Sequence, residues 1–169
     1  MTRRSAFQKV RIPVRLVGGS IQFSMNGSGV NEWLDRQDRF ATAAEDLQEP
    51  FREFGDYMTG SISRNFGKEG RPRRWTPLSE KYARWKAKHF SGRKILVLSG
   101  RLKRKATSKK AWVATKKQLR YKPDVPLPGG LDLFSIHQQG LGLPARQMLV
   151  LQDRDKAQFT RIMRKHLYD

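Results

Sequence analysis

The sequence predicts an α+β fold: long N-terminal amphipathic helices packed on a small antiparallel sheet, plus a C-terminal helix. Three observations lead there. Apolar residues between 34 and 66 recur at three- and four-residue steps, the period of one helix face. Two short segments on either side of Lys116-Lys117 read as strands. From Asp153 to Leu167 the helical step returns. The length of 169 residues suits one such domain, over 31–169, preceded by a basic arm and hairpin over 1–30.

Residues 1–8 carry no periodic pattern and are expected to be disordered. Lys9 to Val17 alternates, with Val10, Ile12, Val14 and Leu16 on one face. Pro13 lacks a ladder donor, which makes this an edge strand. Gly18-Gly19 suits a two-residue hairpin turn, and Ser20 to Met25 is the return strand. Asn26 to Gly29 reads as a flexible connector. From Asn31 the helical stripe runs through Leu34, Phe40, Ala44, Leu47, Phe51, Phe54, Met58, Ile62 and Phe66. Pro50 interrupts it, giving two nearly collinear helices or one kinked helix. The opposite face carries Glu32, Asp35, Asp38, Glu45, Asp46, Glu49 and Glu53, either solvated or facing a basic partner.

Gly67 and Gly70 are expected to stop this helix, because glycine tolerates a left-handed C′ position. Thr76-Pro77 looks like an N-cap and first helical residue, with Trp75 stapling back onto a helix that runs to His89. Ile95 to Leu98 suits a short strand or a helix lead-in, and Gly100 a sharp turn. Ala111–Thr115 and Gln118–Tyr121 read as strands joined by Lys116-Lys117. Leu131 to Gln139 leads into Gly140, and Leu143 to Arg146 forms a turn. Met148 to Leu151 is an apolar strand, and Asp153 is the N-cap candidate for the last helix.

Charge narrows the function. The net charge is +20, and residues 68–122 alone hold twenty basic against two acidic side chains. Such a region binds polyanions through counterion release. Arg73, Arg74, Arg101, Lys103, Arg104, Lys105, Lys109 and Lys110 are the candidates for contact with DNA phosphates or an acidic partner. There is no cysteine, which excludes disulfides and thiolate metal sites. No apolar run approaches the ~20 residues of a membrane span. The basic N-terminus lacks an apolar signal-peptide core, so synthesis in the cytoplasm is expected. His89, His137 and His166 stand apart, and Glu69 and Glu80 sit amid positive charge that favours their ionised form. No phosphate loop or nucleophile motif is present, so no enzyme, cofactor or metal is expected.

Two blocks carry a family pattern. The first ends a helix at Phe66, continues through Glu69-Gly70 and a basic patch to Trp75-Thr76-Pro77-Leu78-Ser79, and closes on Ile95-Leu96-Val97-Leu98-Ser99-Gly100-Arg101-Leu102. The second is Ile136-His137-Gln138-Gln139-Gly140 followed by Leu143-Pro144-Ala145-Arg146-Gln147-Met148-Leu149. Together, over roughly residues 31 to 167, they resemble the phage virion morphogenesis family, which includes tail-completion and neck proteins of Mu-like and P2-like tailed phages. The chain departs from that pattern at Pro123 to Gly130, where the family has a glycine-containing strand and a Tyr-Ala pair before His-Gln.

The resemblance implies a structural protein for tail completion or head-tail joining. It implies a ring, six subunits by family expectation, around the DNA channel at the neck or tail end of the virion. The implied partners are further copies of itself, a head-tail connector, a tail terminator or tail tube proteins, and DNA phosphates. Its motif positions here are Trp75, Pro77, Leu78, Leu98, Gly100, Leu102, His137, Gln138, Gly140, Pro144, Ala145 and Arg146. Within them His137, Gln138 and Arg146 either hold a loop at a subunit interface, with Arg146 on a carboxylate, or satisfy backbone groups around two turns. Trp75, Tyr82, Trp85 and Trp112 either pack or stack bases. The rival reading is a free, non-specific nucleic-acid-binding packaging or regulatory factor.

Overall fold

The computed structural model describes residues 14–17, 20–23 and 27–168, with side-chain environments from residue 31 onward. The chain divides into two compact units, Met1–Ala44 and Glu45–Asp169.

The first unit holds a hairpin and a helix. Strands β1 (Val14–Val17) and β2 (Ser20–Phe23) pair antiparallel, Val17 opposite Ser20 and Val14 opposite Phe23. That register is the one a two-residue connection requires. Lys9 to Pro13, the Gly18-Gly19 turn and Ser24-Met25 lie outside the described residues, as do residues 1–8. Helix α1 spans Gly27–Glu45. The expected connector over Asn26 to Gly29 is therefore corrected at Gly27 to Gly29, which form the first helical turn, while Asn26 lies outside the described residues. The helix formers after Val30 propagate back through it, because extending an existing helix adds a hydrogen bond for each residue fixed.

The second unit is built around α2 (Gln48–Lys68). Pro50 sits in its first turn, where a missing N–H costs nothing. The break before it is made by Asp46, whose Oδ1 accepts the Gln48 N–H at 3.0 Å. Phe51, Phe54, Met58, Ile62 and Phe66 form the buried stripe that the spacing predicts. Against it pack α6 (Asp153–Tyr168), α4 (Arg101–Ala106) and the hairpin of β3 (Trp112–Ala114) and β4 (Leu119–Tyr121). One core joins Ile62, Phe66, Trp75, Leu102, Ala106, Val125, Phe134 and Met148; a second joins Phe54, Met58 and Ile162. Trp112 borders both. Gly55 is where its indole meets α2: a Cβ there would lie 3.1 Å from the ring. Trp112 Nε1 donates to Thr59 Oγ1 at 3.1 Å.

β3 and β4 pair antiparallel around Lys116-Lys117, with Trp112 opposite Tyr121. The proline-rich stretch that follows folds back on itself. Val125 N–H donates to Asp132 Oδ1 at 3.0 Å, and Asp132 Oδ2 caps α5 (Leu133–Gln139) through Ser135 N–H at 2.8 Å.

Five local expectations are corrected. α2 passes through Gly67, and its left-handed cap is Glu69, at φ 55°. Bonds on three sides hold it there: its N–H and O bond to Asn65 O and Trp75 N, and its carboxylate accepts Ile95 N–H at 2.7 Å. Helix α3 begins at Glu80, capped by Ser79 rather than Thr76, whose carbonyl is used elsewhere. Ile95 to Leu98 is a turn with Leu96 at φ 60°, neither strand nor helix lead-in. Met148 to Leu151 is not a strand. Finally, α6 takes its capping carboxylate from Asp155, whose Oδ2 accepts Gln152 N–H at 3.1 Å; Asp153 is its exposed first residue.

Candidate functional site

The two sequence blocks meet around residues 146–149, a segment with no strand partner. Six of its backbone groups find partners one by one. Arg146 N–H donates to His137 O at 2.7 Å. Gln147 O accepts from Trp75 Nε1 at 2.9 Å. Met148 O accepts from Asn65 Nδ2 at 2.7 Å. Gln138 does the rest: its Oε1 accepts the N–H groups of Met148 and Leu149 at 2.8 and 3.1 Å, and its Nε2 donates to Leu149 O at 2.8 Å. A primary amide carries the donor and acceptor of a peptide group, so one side chain replaces a neighbouring strand.

Arg146 closes the frame. It is 5% exposed and forks onto the carbonyls of Thr76 and Pro77, through Nε at 2.9 Å and Nη2 at 3.0 Å. That is the geometry of backbone satisfaction, not of a pair with a carboxylate. Burial lowers the guanidinium's pKa. Trp75 is buried edge-on against Phe66, with ring centres 5.6 Å apart. Gly140, at φ 79°, ends α5 so closely against Ala145 that a Cβ would come within 3.0 Å of it. Pro144 and Ala145 are exposed, as is Pro77; Leu78 and Leu98 are half-buried. Leu102 is buried in the core beside Gly100, the left-handed N-cap of α4. Burial, with a smaller contribution from Arg146, depresses the His137 imidazole, and its Nδ1 has no hydrogen-bond partner among the described residues.

A second buried polar group lies below the frame. Asp155, 2% exposed, accepts from Tyr57 OH at 2.9 Å and from Ser61 Oγ at 3.1 Å. Arg71 donates to Ser61 O and Oγ at 2.9 and 3.0 Å, and to Asn65 Oδ1 at 2.8 Å. Burial and the Asp155 bond raise the Tyr57 phenol. The sequence reading named none of Ser61, Asn65, Arg71 and Asp155. Ser61 and Asn65, polar residues at helical spacing inside an apolar stripe, are the signal that points to such a network.

A family model for the phage virion morphogenesis family matches residues 25–168. The chain belongs to the phage virion morphogenesis family. It is therefore a virion structural or assembly protein of a phage. Neither the curated proteins nor the solved structures contain a match.

Of the eight basic candidates, Arg73, Arg74, Arg101, Arg104, Lys105, Lys109 and Lys110 are exposed and Lys103 is half-buried. Arg101 and Arg104 bond the carbonyls of Pro126 and Ser99 at 3.0 and 3.2 Å. Lys109 pairs with Asp56 of α2 at 2.7 Å, an exposed pair worth little in itself. The structure brings Arg101 to Lys105 together on and around α4, while Arg73 and Arg74 sit in the turn before Trp75. Two cations are buried instead, Arg146 and Lys86, whose Nζ donates to Lys94 O at 2.5 Å, and Arg71 is half-buried. Burial lowers the Lys86 pKa, opposed in part by Glu69. Among the described residues no group of three or more His, Asp or Glu could hold a metal ion, and no helix is long and apolar enough to cross a membrane.

Proposed function

We propose that this protein completes the tail or joins head to tail, as a ring of six subunits around the DNA channel at the neck or tail end of the virion. The role is structural, not catalytic. The exposed basic surface from Arg73 to Lys110, in a chain of a virion morphogenesis family, is the observation that supports it most. Guanidinium and ammonium groups on that surface meet phosphates, which positions the protein without reading base sequence. The exposed carboxylates Glu49 and Glu53 of α2 give a neighbouring copy, connector, terminator or tube protein an opposite charge to meet.

Quantitative mass spectrometry of purified virions tests this, with copy number referenced to the major tail protein. Six or twelve copies per particle support the ring; absence from particles refutes it. The exposed cations also favour a second reading, a free non-specific nucleic-acid-binding factor. Salt separates the two. Phosphate binding is lost at ~1 M salt, whereas a ring held by apolar burial persists.

A further inference from the structure

We infer that Arg64 of α2, Arg71 of the turn after it and Arg154 of α6 form a binding site for a phosphate group of nucleic acid. The inference rests on the DNA-contact part of the reading above and adds a contact outside the basic candidates read from the sequence. The site is built on the Tyr57–Ser61–Asp155 group. Arg64 is exposed, with Cζ 5.8 Å from the centre of the Tyr57 ring. Arg71 is half-buried and donates through Nη2 to Ser61 O and Oγ, and through Nε to Asn65 Oδ1. Its Nη1 makes no hydrogen bond among the described residues. Arg154, exposed in the first turn of α6, is the chain neighbour of Asp155.

Electrostatics tie the three arginines together. Burial lowers the Arg71 pKa, and the charge of Arg64 lowers it further. Arg154 adds a smaller part, against the opposing pull of Asp155 and Tyr57. The same two arginines act on Tyr57, opposing the rise that burial and Asp155 impose on its phenol.

The chain's own carboxylates do not neutralise these charges. Asp155 is the acidic member of the group, and its oxygens already accept from Tyr57 OH, Ser61 Oγ and Gln152 N–H. None of the three arginines makes an ion pair among the described residues. Three positive charges against one negative leave +2. Holding like charges together is unfavourable in the free protein, and an anion between them offsets the repulsion. The number of elements involved favours phosphate over carboxylate. A carboxylate offers one planar edge, which a single guanidinium fork fills. Arginines from three separate elements need a ligand with acceptors on more than one side, as the tetrahedral phosphate has. Arg71, pinned by Ser61 and Asn65, is the preorganised member, and Arg64 and Arg154 are the exposed arms.

The test is titration of the full chain against labelled duplex DNA by fluorescence anisotropy over a salt series. Arg64→Gln with Arg154→Gln removes two guanidiniums that make no hydrogen bond among the described residues, so the denaturation midpoint is expected to stay unchanged. A lowered midpoint would make them supports of the fold and overturn the site. Affinity is expected to fall about tenfold at ~0.1 M salt, on all sequences alike, and the slope of log affinity against log salt to shallow by about 1. Arg161→Gln with Arg164→Gln, exposed on the same helix and equal in charge, is expected to change both far less. An equal loss from this second pair would mean that net charge alone sets affinity, and overturns the site. If the native chain binds DNA and the first pair leaves affinity and slope as they were, the site is wrong while the DNA contact stands on the cations around α4. A native chain without affinity for DNA removes both. The same titration with polyglutamate supplies the remaining arm: loss of that binding in the first pair, with DNA binding intact, assigns the site to an acidic protein and overturns the proposal.

Discussion

Replacing Gln138 with leucine should unlatch the 147–149 segment. The native amide makes three hydrogen bonds, to Met148 N–H, Leu149 N–H and Leu149 O, and Met148 is fully buried. Leucine is close in size but answers none of them. Each stranded buried group costs about 1–3 kcal/mol. Leu149 is only half-buried, so water reaches part of its backbone. The loss is therefore nearer the low end for each group, about 3 kcal/mol in all. With a urea dependence of about 2 kcal/mol per molar for a domain of this size, the midpoint should fall by about 1.5 M. Gln139→Leu, at the exposed neighbour, should stay within about 0.5 kcal/mol of the native chain. Gln138→Glu adds a signature no generic packing defect would show. Its carboxylate still accepts both N–H groups but faces Leu149 O with no proton. Protonation restores a donor, so the folded-state pKa is raised and this variant should gain stability as pH falls toward the carboxyl range. A midpoint for Gln138→Leu within ~0.3 M of native would show that the segment does not depend on this amide.

Trp75→Ala should cost about 3–5 kcal/mol in denaturant unfolding, since it removes a buried indole and the bond to Gln147 O; a change under ~1 kcal/mol would place Trp75 outside the core. Asp155→Ala strands Tyr57, Ser61 and Gln152 N–H around a buried void and should cost about 3 kcal/mol by the same assay, with the helical signal of α6 weakened. Gly140→Ala places a Cβ against Ala145 at positive φ and should cost about 1–3 kcal/mol, where an exposed glycine free of neighbours such as Gly92 should cost less. His137 is depressed below its ordinary 6.5 when folded, so the unfolded chain binds its proton first. Its contribution is intact above pH 6.5 and declines on acidification below it, by up to about 1.4 kcal/mol per pH unit until the folded imidazole titrates. His137→Gln should flatten that limb of a stability–pH profile.

What could be read from sequence followed the period of burial. The stripe from Phe51 to Phe66, the hairpin around Lys116-Lys117 and the final helix all bury one face, and burial at a regular step is visible in one dimension. The failures share a different cause. Gly67 resembled a helix stop by local rule, but the stop is Glu69, held left-handed by its bond to Ile95, twenty-six positions on. Met148 to Leu151 has strand composition, and no ladder forms because Gln138 and Asn65 already occupy the backbone of Met148 and Leu149. The Asp155 group draws on Tyr57, Ser61 and, through Ser61, Arg71, over ninety positions away from the first two. Such pairs leave no periodic trace. Arg146 was named from the motif, yet its partners, two carbonyls, are chosen by the fold and not by their residue types.

A protein made to join a particle must first survive at high concentration beside identical copies. An unpaired segment such as Gln147 to Leu149 is ordinarily a hazard there, because its open edge invites a strand from the next molecule. Here side chains from three separate elements have filled that edge in advance. The segment stays outside any ladder yet has little left to offer another backbone. Copies are thus kept from sticking by strand addition, and the encounters that remain open are those between side-chain surfaces, where geometry and charge can select the right neighbour.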